Sequence, residues 1–259
     1  MKKCIAVLTR GYEHFHNYSL LIQRNKHIEN NLLDKTIDIL IFHEGNITEQ
    51  HQIEIAQQTP LLKIIFLNIK SSKAFRNEKE NTQFYQPTLE WGIGYRHMCS
   101  FWFADFLHFV SEYDYLVRID EDCNIYSNVD YIFTKLNEYC FISGTCEKDQ
   151  PHVTLGLNQF TIDFVNKNSD SYVFKQNEVK DPPSGPYTNL FGISLNFVRT
   201  HDILLKYIQE IDFSNKIYEN RWGDLPLWGE VIDYITGKES IFIDNTIKYY
   251  HASHCMQVN

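Results

Sequence analysis

No stretch of this 259-residue chain approaches the roughly 18 apolar residues needed to cross a bilayer. The apolar run from Leu61 to Ile69 is too short and is broken by Lys63 and Asn68. Behind Met1-Lys2-Lys3 only Cys4 to Leu8 are apolar before Thr9 and Arg10, too few for a secretory signal core, so a cytoplasmic protein is expected. The six cysteines (Cys4, Cys99, Cys123, Cys140, Cys146, Cys255) form no CxxC pair and no regular framework, which reads as thiols kept in a reducing compartment. Positive charge is in deficit: 24 Lys and Arg stand against 33 Asp and Glu, a net charge of −9, which leaves no electrostatic footprint for nucleic acid or an anionic membrane. A phosphate ligand must then be held locally, with a metal. No repeat, low-complexity tract or linker divides the chain, so one domain over residues 1–259 is expected. What is present is 43% hydrophobic and 22% charged residues, the balance of an ordinary globular core.

The apolar run Cys4 to Thr9 ends at Arg10-Gly11, the pattern of a buried strand that delivers a loop. Leu20, Leu21, Ile28, Leu32 and Leu33 then recur at helical spacing within 17–33. Ile37 to Phe42 and Leu61 to Ile69 are further strands, separated by a helical stretch from Thr48 to Gln58. This opening reads β-α-β-α-β, a parallel sheet with crossover helices. A loop is predicted over 71–86, a long aromatic-rich helical region over 88–110 interrupted at Gly92 and Gly94, and a strand over 113–119. Helix at 128–139, strand at 140–143, strand at 189–197, helices at 200–211 and 224–235 and a strand at 240–243 follow. Between Gly144 and Gly185 the pattern weakens.

Four fragments carry chemistry. The strand Tyr113-Asp114-Tyr115-Leu116-Val117-Arg118-Ile119 runs directly into Asp120-Glu121-Asp122. Adjacent anions repel unless solvent screens them or a divalent cation neutralises them, and hard oxygen ligands suit Mg²⁺ or Mn²⁺. An Asp-X-Asp after a strand is what a sugar-nucleotide enzyme needs to hold a metal on a departing diphosphate. The bland alternative is a solvated acidic turn. Arg118, two residues before Asp120, shares its strand face. Second, Arg221-Trp222-Gly223-Asp224-Leu225-Pro226 opens a helix; Asp224 serves either as its N-cap or as an acceptor for a sugar hydroxyl, with Trp222 as a stacking face. Third, Tyr249-Tyr250-His251-Ala252-Ser253-His254-Cys255 offers a histidine to the same metal, tilting preference toward Mn²⁺. Its rivals are a zinc site from His251, His254 and Cys255, or an exposed tail. Fourth, Tyr95, Met98, Phe101 and Trp102 form a buried helix face, with Arg96 and His97 projecting elsewhere and Arg96 free to meet phosphate or the acidic cluster.

Together and in this order the fragments resemble the fungal Golgi α-1,2-mannosyltransferases, glycosyltransferase family 15. The shared elements are Tyr-Arg-His-Met-Cys at 95–99, the Tyr-X-Tyr-X-X-Arg strand with Asp120 in place of a glutamate, Arg-Trp-Gly-Asp-X-Pro at 221–226, and Tyr-Tyr-His followed by His-Cys at 249–255. The resemblance implies an α/β, GT-A (Rossmann-like) nucleotide-diphospho-sugar transferase fold with a single mixed, mostly parallel sheet flanked by helices. Its nucleotide-binding part would lie at about 1–125 and its acceptor-binding part at about 126–259. It implies a metal-dependent retaining transferase moving a hexose, mannose from GDP-mannose, to a hydroxyl of a glycan or glycoconjugate acceptor. Asp120 and His251 take the place of the Mn²⁺ (or Mg²⁺) ligands. Tyr95, Arg96, Arg118 and Asp122 fall on the donor side, and Asp224 with Arg221 on the catalytic, acceptor side.

Three departures stand out. The family's catalytic glutamate, in an Asn-Phe-Glu-Ile strand, has no carboxylate counterpart in Asn189-Leu190-Phe191-Gly192-Ile193. The amino-terminal anchor and stem are not in this sequence, and Ser100 replaces an arginine. Two alternatives therefore stay open: an inverting GT-A transferase using another nucleotide sugar, with Asp224 or Glu230 as base, and a catalytically silent sugar-nucleotide or carbohydrate-binding protein.

Overall fold

The computed structural model describes residues 1–70, 79, 81–176 and 182–251. Its strands are β1 Lys3–Leu8, β2 Asp38–His43, β3 Lys63–Asn68, β4 Tyr115–Ile119, β5 Cys123–Ile125, β6 Phe141–Ser143, β7 Cys146–Lys148, β8 Ser184–Pro186, β9 Leu190–Ser194, β10 Ile241–Ile243 and β11 Tyr249–His251. Its α-helices are α1 Ser19–Asn31, α2 Glu49–Gln57, α3 Ile93–Phe103, α4 Val129–Lys135, α5 Leu157–Asn168, α6 Leu195–Thr200, α7 Asp202–Ser214, α8 Lys216–Asn220 and α9 Asp224–Glu230. Among the described residues no helix is long and apolar enough to cross a membrane.

Seven strands form one sheet in the order β10, β6, β9, β4, β1, β2, β3. β1 pairs in parallel with β2 and β4, β2 with β3, and β6 with β10; β9 alone runs antiparallel, between β4 and β6. This is the mixed, mostly parallel sheet the sequence predicts. Because side chains alternate across a strand, each strand feeds two cores. In β1 and β4, Cys4, Ala6 and Leu116 join one layer with Phe101, Trp102, Leu227 and Trp228 of α3 and α9. Ile5, Val117 and Ile119 face the other way, toward Ile28 of α1, Leu32 just past its end, and Ile132 and Phe133 of α4. Arg118 lies on the Leu116 side, so its guanidinium emerges under α3 and α9.

Several elements differ from the sequence reading. The region 88–110 is not one helix: α3 starts after the extended Gly92, and separate 3₁₀ turns occupy Gln86–Thr88 and Asp105–His108. The strand expected over 189–197 ends at Ser194 and becomes α6. The helix expected over 224–235 is α9 followed by a π-helical turn, Val231–Thr236. α5 falls in the segment where no pattern was seen, yet Leu157, Thr161, Phe164, Val165 and Asn168 are buried at helical spacing. Most of the predicted 71–86 loop lies outside the described residues.

Two short pairings deserve mention for what they position. β11 runs antiparallel to β5 with His251 opposite Cys123, which carries the chain's far end back beside the turn that follows β4. β7 pairs antiparallel with β8, and Gly185 of β8 packs so tightly on α9 that an added Cβ would stand 2.1 Å from the Leu225 carbonyl. Arg24, fully buried in α1, donates to the carbonyls of Ile119 and Ala6 and so ties together the ends of β4 and β1. Burial lowers its pKa to about 10.

Candidate active site

In open α/β sheets ligands lie outside the carboxyl ends of the strands. Here a cavity of about 590 Å³ opens at that edge, walled by Tyr95 and Met98 of α3, Arg118 and Asp120 of β4 and its turn, 147–150, 187–189, Arg221, Asp224 and His251. A second hollow of about 520 Å³ shares Tyr95 and Met98 and extends along the β1 end to Thr9, Arg10, Tyr12, Glu44, Glu121 and Asp122. A larger hollow, about 730 Å³, lies on the α7 side against Leu205, Phe213 and Asp105, away from every fragment that carries chemistry.

The acidic triplet is not a solvated turn, since each carboxylate is engaged separately. Asp120 takes a bidentate pair from Arg118, Nε to Oδ1 at 2.7 Å and Nη2 to Oδ2 at 3.0 Å. Glu121 accepts from the hydroxyls of Thr9 and Tyr12, fastening the turn to the loop after β1. Asp122 Oδ1 lies 3.1 Å from His251 Nε2, and this contact with the imidazole holds the Asp122 carboxyl below its ordinary range. His251 Nδ1 is in turn 3.2 Å from the Tyr187 hydroxyl. Asp120 and His251, 131 positions apart by number, thus wall the same cavity.

Arg118 has a second partner. Its Nη1 reaches Asp224 Oδ2 at 2.5 Å, its plane lies 4.7 Å from the Trp102 ring centroid, and Nη2 touches the Met98 sulfur at 3.8 Å. Burial works against its charge, but the two carboxylates outweigh burial and push its pKa up. Asp120 shows the same contest reversed: burial raises its pKa against the pull of Arg118. With its donors spent on Asp120 and Asp224, Arg118 is a buried strut between the two sides of the cavity rather than a free phosphate ligand.

Asp224 is the first residue of α9, with Gly223 as the N-cap, and its carboxylate turns to Arg118 instead of capping backbone N–H groups. Trp222 offers no stacking face: it is 2% exposed, packs on Phe160 and donates from Nε1 to the Leu155 carbonyl at 3.0 Å. Arg221 does face the cavity. Held in the left-handed region (φ 66°), it donates to Asp149 and to the Tyr95 hydroxyl, both at 2.6 Å, with its plane 4.6 Å from the rings of Trp91 and Tyr95.

Arg96 is a correction. It does not project from the core but is fully buried, donating to the carbonyls of Tyr218, Thr88 and Trp91 over the Phe84 ring; burial lowers its pKa to about 10. The reason is that α8 and the 81–91 segment cover the helix face expected to meet solvent, and His97 is buried there against Tyr218. Tyr95 and Met98, expected in the core, are the residues of α3 that line the cavity instead. Glu230, the alternative base, is 1% exposed and accepts from Asn158 at 2.6 Å, outside the cavity lining. Gly192 points away altogether: a Cβ there would stand 2.4 Å from Ile142 Cγ2 and beside Leu136 and Ile132, on the sheet face opposite Arg118. His254 and Cys255 of the zinc alternative lie outside the described residues.

Sequence reasoning missed Trp91, Glu147, Lys148, Asp149, Tyr187 and Asn189. Among the described residues the Glu147 carboxylate, at the rim, has no ion pair or hydrogen bond. These residues sit in or beside the segment without pattern, and only the strand β9 that follows Asn189 pointed to any of them.

Could these residues hold a metal? No group of three His, Cys, Asp or Glu side chains among the described residues is disposed to grip an ion by itself. The donor set of Asp120, Asp122 and His251 nonetheless fits one that takes its remaining ligands from diphosphate and water, the usual situation for a hard divalent cation on a phosphate substrate. One imidazole among carboxylates favours Mn²⁺ over Mg²⁺.

No family model matches the chain. The protein named probable mannosyltransferase KTR4 of Saccharomyces cerevisiae is 25% identical over 197 residues, 67% of this chain and 41% of that protein. Glycolipid 2-alpha-mannosyltransferase 1 of Candida albicans is 28% identical over 177 residues, 61% of this chain and 39% of that one. The chain therefore spans about two-fifths of the length of these relatives. The X-ray structure of Ktr4p from S. cerevisiae superposes with a TM-score of 0.79 at 18% identity, covering 97% of this chain and 70% of that one. Core-mannan synthase A from Aspergillus fumigatus, solved in its Mn/GDP form, gives 0.76 at 16% identity, covering 97% and 75%. The fold is that of the GT-A glycosyltransferases. Within that class the chain is similar, in sequence and in architecture, to the fungal mannosyltransferases, as its motifs imply.

Proposed function

We propose that this chain is a metal-dependent glycosyltransferase that moves mannose from GDP-mannose to a hydroxyl of a glycan acceptor, with retention at the anomeric carbon. The observation that carries the reading is the convergence of Asp120 and His251 on one cavity, with Asp122 against the His251 imidazole, His251 being delivered there by the β11–β5 pairing. Relatives named as mannosyltransferases, and a neighbour solved with Mn and GDP, support the choice of donor and ion.

Asp120 and His251 Nε2 would hold the cation, with Asp122 beside that nitrogen as a further carboxylate donor and Tyr187 fixing the imidazole from Nδ1. When bound, that ion neutralises charge growing on the leaving diphosphate. The hollow along Thr9, Arg10 and Tyr12 takes the nucleoside, and the cavity walled by Asp120, Asp224 and His251 takes the hexose and the acceptor. Tyr95 and Met98 form the wall they share. A front-side route to retention is in keeping with how these residues are placed: Gly192 brings no nucleophile, and Asp224 is committed to Arg118. The acceptor oxygen then attacks on the face from which the diphosphate leaves. The sugar–diphosphate C–O bond breaks as the new C–O bond forms, and the acceptor proton passes to a diphosphate oxygen.

The chain acts as one domain, since both its halves wall the cavity. We place this work in a reducing compartment such as the cytoplasm, in keeping with cysteines whose spacing forms no CxxC pair or regular framework. The test is release of nucleoside diphosphate from a panel of sugar nucleotides with Mn²⁺, with and without acceptors. GDP from GDP-mannose, and an α-linked product by NMR, is the expected outcome; metal-dependent turnover of no donor would overturn the proposal.

A further inference from the structure

Among the described residues of the cavity wall, the buried side chain of Asn189 has every one of its polar atoms unmet, whereas Arg221 lacks a partner at Nε alone. It immediately precedes β9, and its backbone carbonyl accepts the Asp120 N–H at 2.9 Å, which fixes it beside the carboxylate at the end of β4. Only 3% of it is exposed, yet neither amide atom, Nδ2 nor Oδ1, has a hydrogen-bond partner. The nearby Tyr249 hydroxyl is close enough to influence and be influenced by the amide but lies outside hydrogen-bonding geometry, and it too is unmet. Buried amides are almost always satisfied, and leaving one unsatisfied is costly. A site that opens on a cavity can be completed from the cavity. The acids and the imidazole deeper in the wall are already partnered: Asp120 and Asp224 on Arg118, Asp149 on Arg221, His251 on Asp122; Glu147, at the rim, is open to solvent.

We propose that the Asn189 amide reads a hydroxyl of the transferred hexose, donating from Nδ2 and accepting at Oδ1. This rests on the glycosyltransferase reading and deepens it. Asn189 is assigned to the donor sugar, not the nucleoside, because it lines the cavity that holds Asp120 and His251 and takes no part in the hollow along β1. An amide offers one donor and one acceptor side by side, the complement of a sugar hydroxyl. A nucleoside diphosphate without its sugar leaves the amide unmet.

The experiment measures GDP and GDP-mannose affinity in MnCl₂ by calorimetry for the wild type, Asn189→Ala and Asn189→Ser, with thermal unfolding of each and of Asn189→Leu. The proposal predicts GDP affinity within twofold of wild type in every variant. It predicts a 10- to 100-fold loss of GDP-mannose affinity in Asn189→Ala, and a smaller loss in Asn189→Ser, which keeps a hydroxyl. Asn189→Leu should melt at or above the wild-type temperature, since it removes unmet polar atoms. Wild-type GDP-mannose affinity in Asn189→Ala would overturn the assignment while leaving the donor reading intact. So would parallel losses of GDP affinity and melting temperature, which mark a structural amide. Failure of the wild type to bind either compound would remove both.

Discussion

Replacing Arg118 with methionine isolates the strut on which both sides of the cavity depend. The change leaves an apolar stem against Trp102 and Met98 but strands two carboxylates, Asp224 at 6% side-chain exposure and Asp120 at 25%. Removing one partner of a buried ion pair costs about 3–5 kcal/mol, because the charge left behind has neither water nor counter-ion. Asp120 is partly hydrated, so the lower end, about 3–4 kcal/mol, applies. At roughly 2–4 °C per kcal/mol for a chain of this size, the melting temperature should fall by about 6–16 °C in scanning calorimetry at pH 7. The sign with pH follows from Asp120. Burial already raises its folded pKa, and the variant loses the cation that opposed burial. The folded state then binds more protons than the unfolded one as pH falls, so the deficit should shrink between about pH 7 and pH 5. Neutralising the stranded acids as well, in R118M/D120N/D224N, should recover most of the loss while abolishing Mn²⁺ binding. A single variant melting within about 2 °C of wild type would refute the strut, as would a triple variant no more stable than the single one.

Two further predictions concern the scaffold. Asp38 is 2% exposed at the amino edge of the sheet, paired with Lys63 at 2.6 Å and accepting from the Tyr113 hydroxyl at 2.8 Å. Burial opposes its charge, but these partners outweigh burial and lower its pKa, so its contribution is present above the unfolded value near 3.9 and lost as pH falls through the folded one. Asp38→Asn should cost about 1–3 kcal/mol at pH 7 and almost nothing near pH 2–3, read from melts across that range; a gap independent of pH would show that the charge is irrelevant. Gly192→Glu, which restores the family's residue type, should yield little folded protein rather than a better enzyme, because its Cβ collides with Ile142 and its charge enters an apolar layer. Soluble, stable protein with increased transfer would contradict that placement.

The opening βαβαβ unit was legible because β1 and β2 are buried on both faces and read as unbroken apolar runs, β3 at the sheet edge keeps an apolar centre, and α1 shows its one-sided stripe. The end of β4 as the seat of chemistry was legible for a related reason: only there does an apolar strand run into three carboxylates. What the residues do to one another was not. Asp224 looked like a cap because nothing local reveals that Arg118, 106 positions earlier, would claim its carboxylate. Arg96 looked free because α8, which buries it, is distant in sequence. The tail fragment offered a histidine to the metal and the resemblance singled out His251, but its approach to Asp122 depends on the register of two three-residue strands, too short to carry a pattern. Glu147, Asp149 and Asn189 went unnoticed in and beside a stretch whose strands are equally brief.

The most direct measurement is a crystal soaked with MnCl₂ and GDP, with data collected at the manganese absorption edge. The account predicts one anomalous peak within about 2.0–2.5 Å of both an Asp120 carboxylate oxygen and His251 Nε2, with diphosphate oxygens completing its shell. A peak that touches only one of these side chains, or lies elsewhere while GDP occupies the cavity, would contradict it.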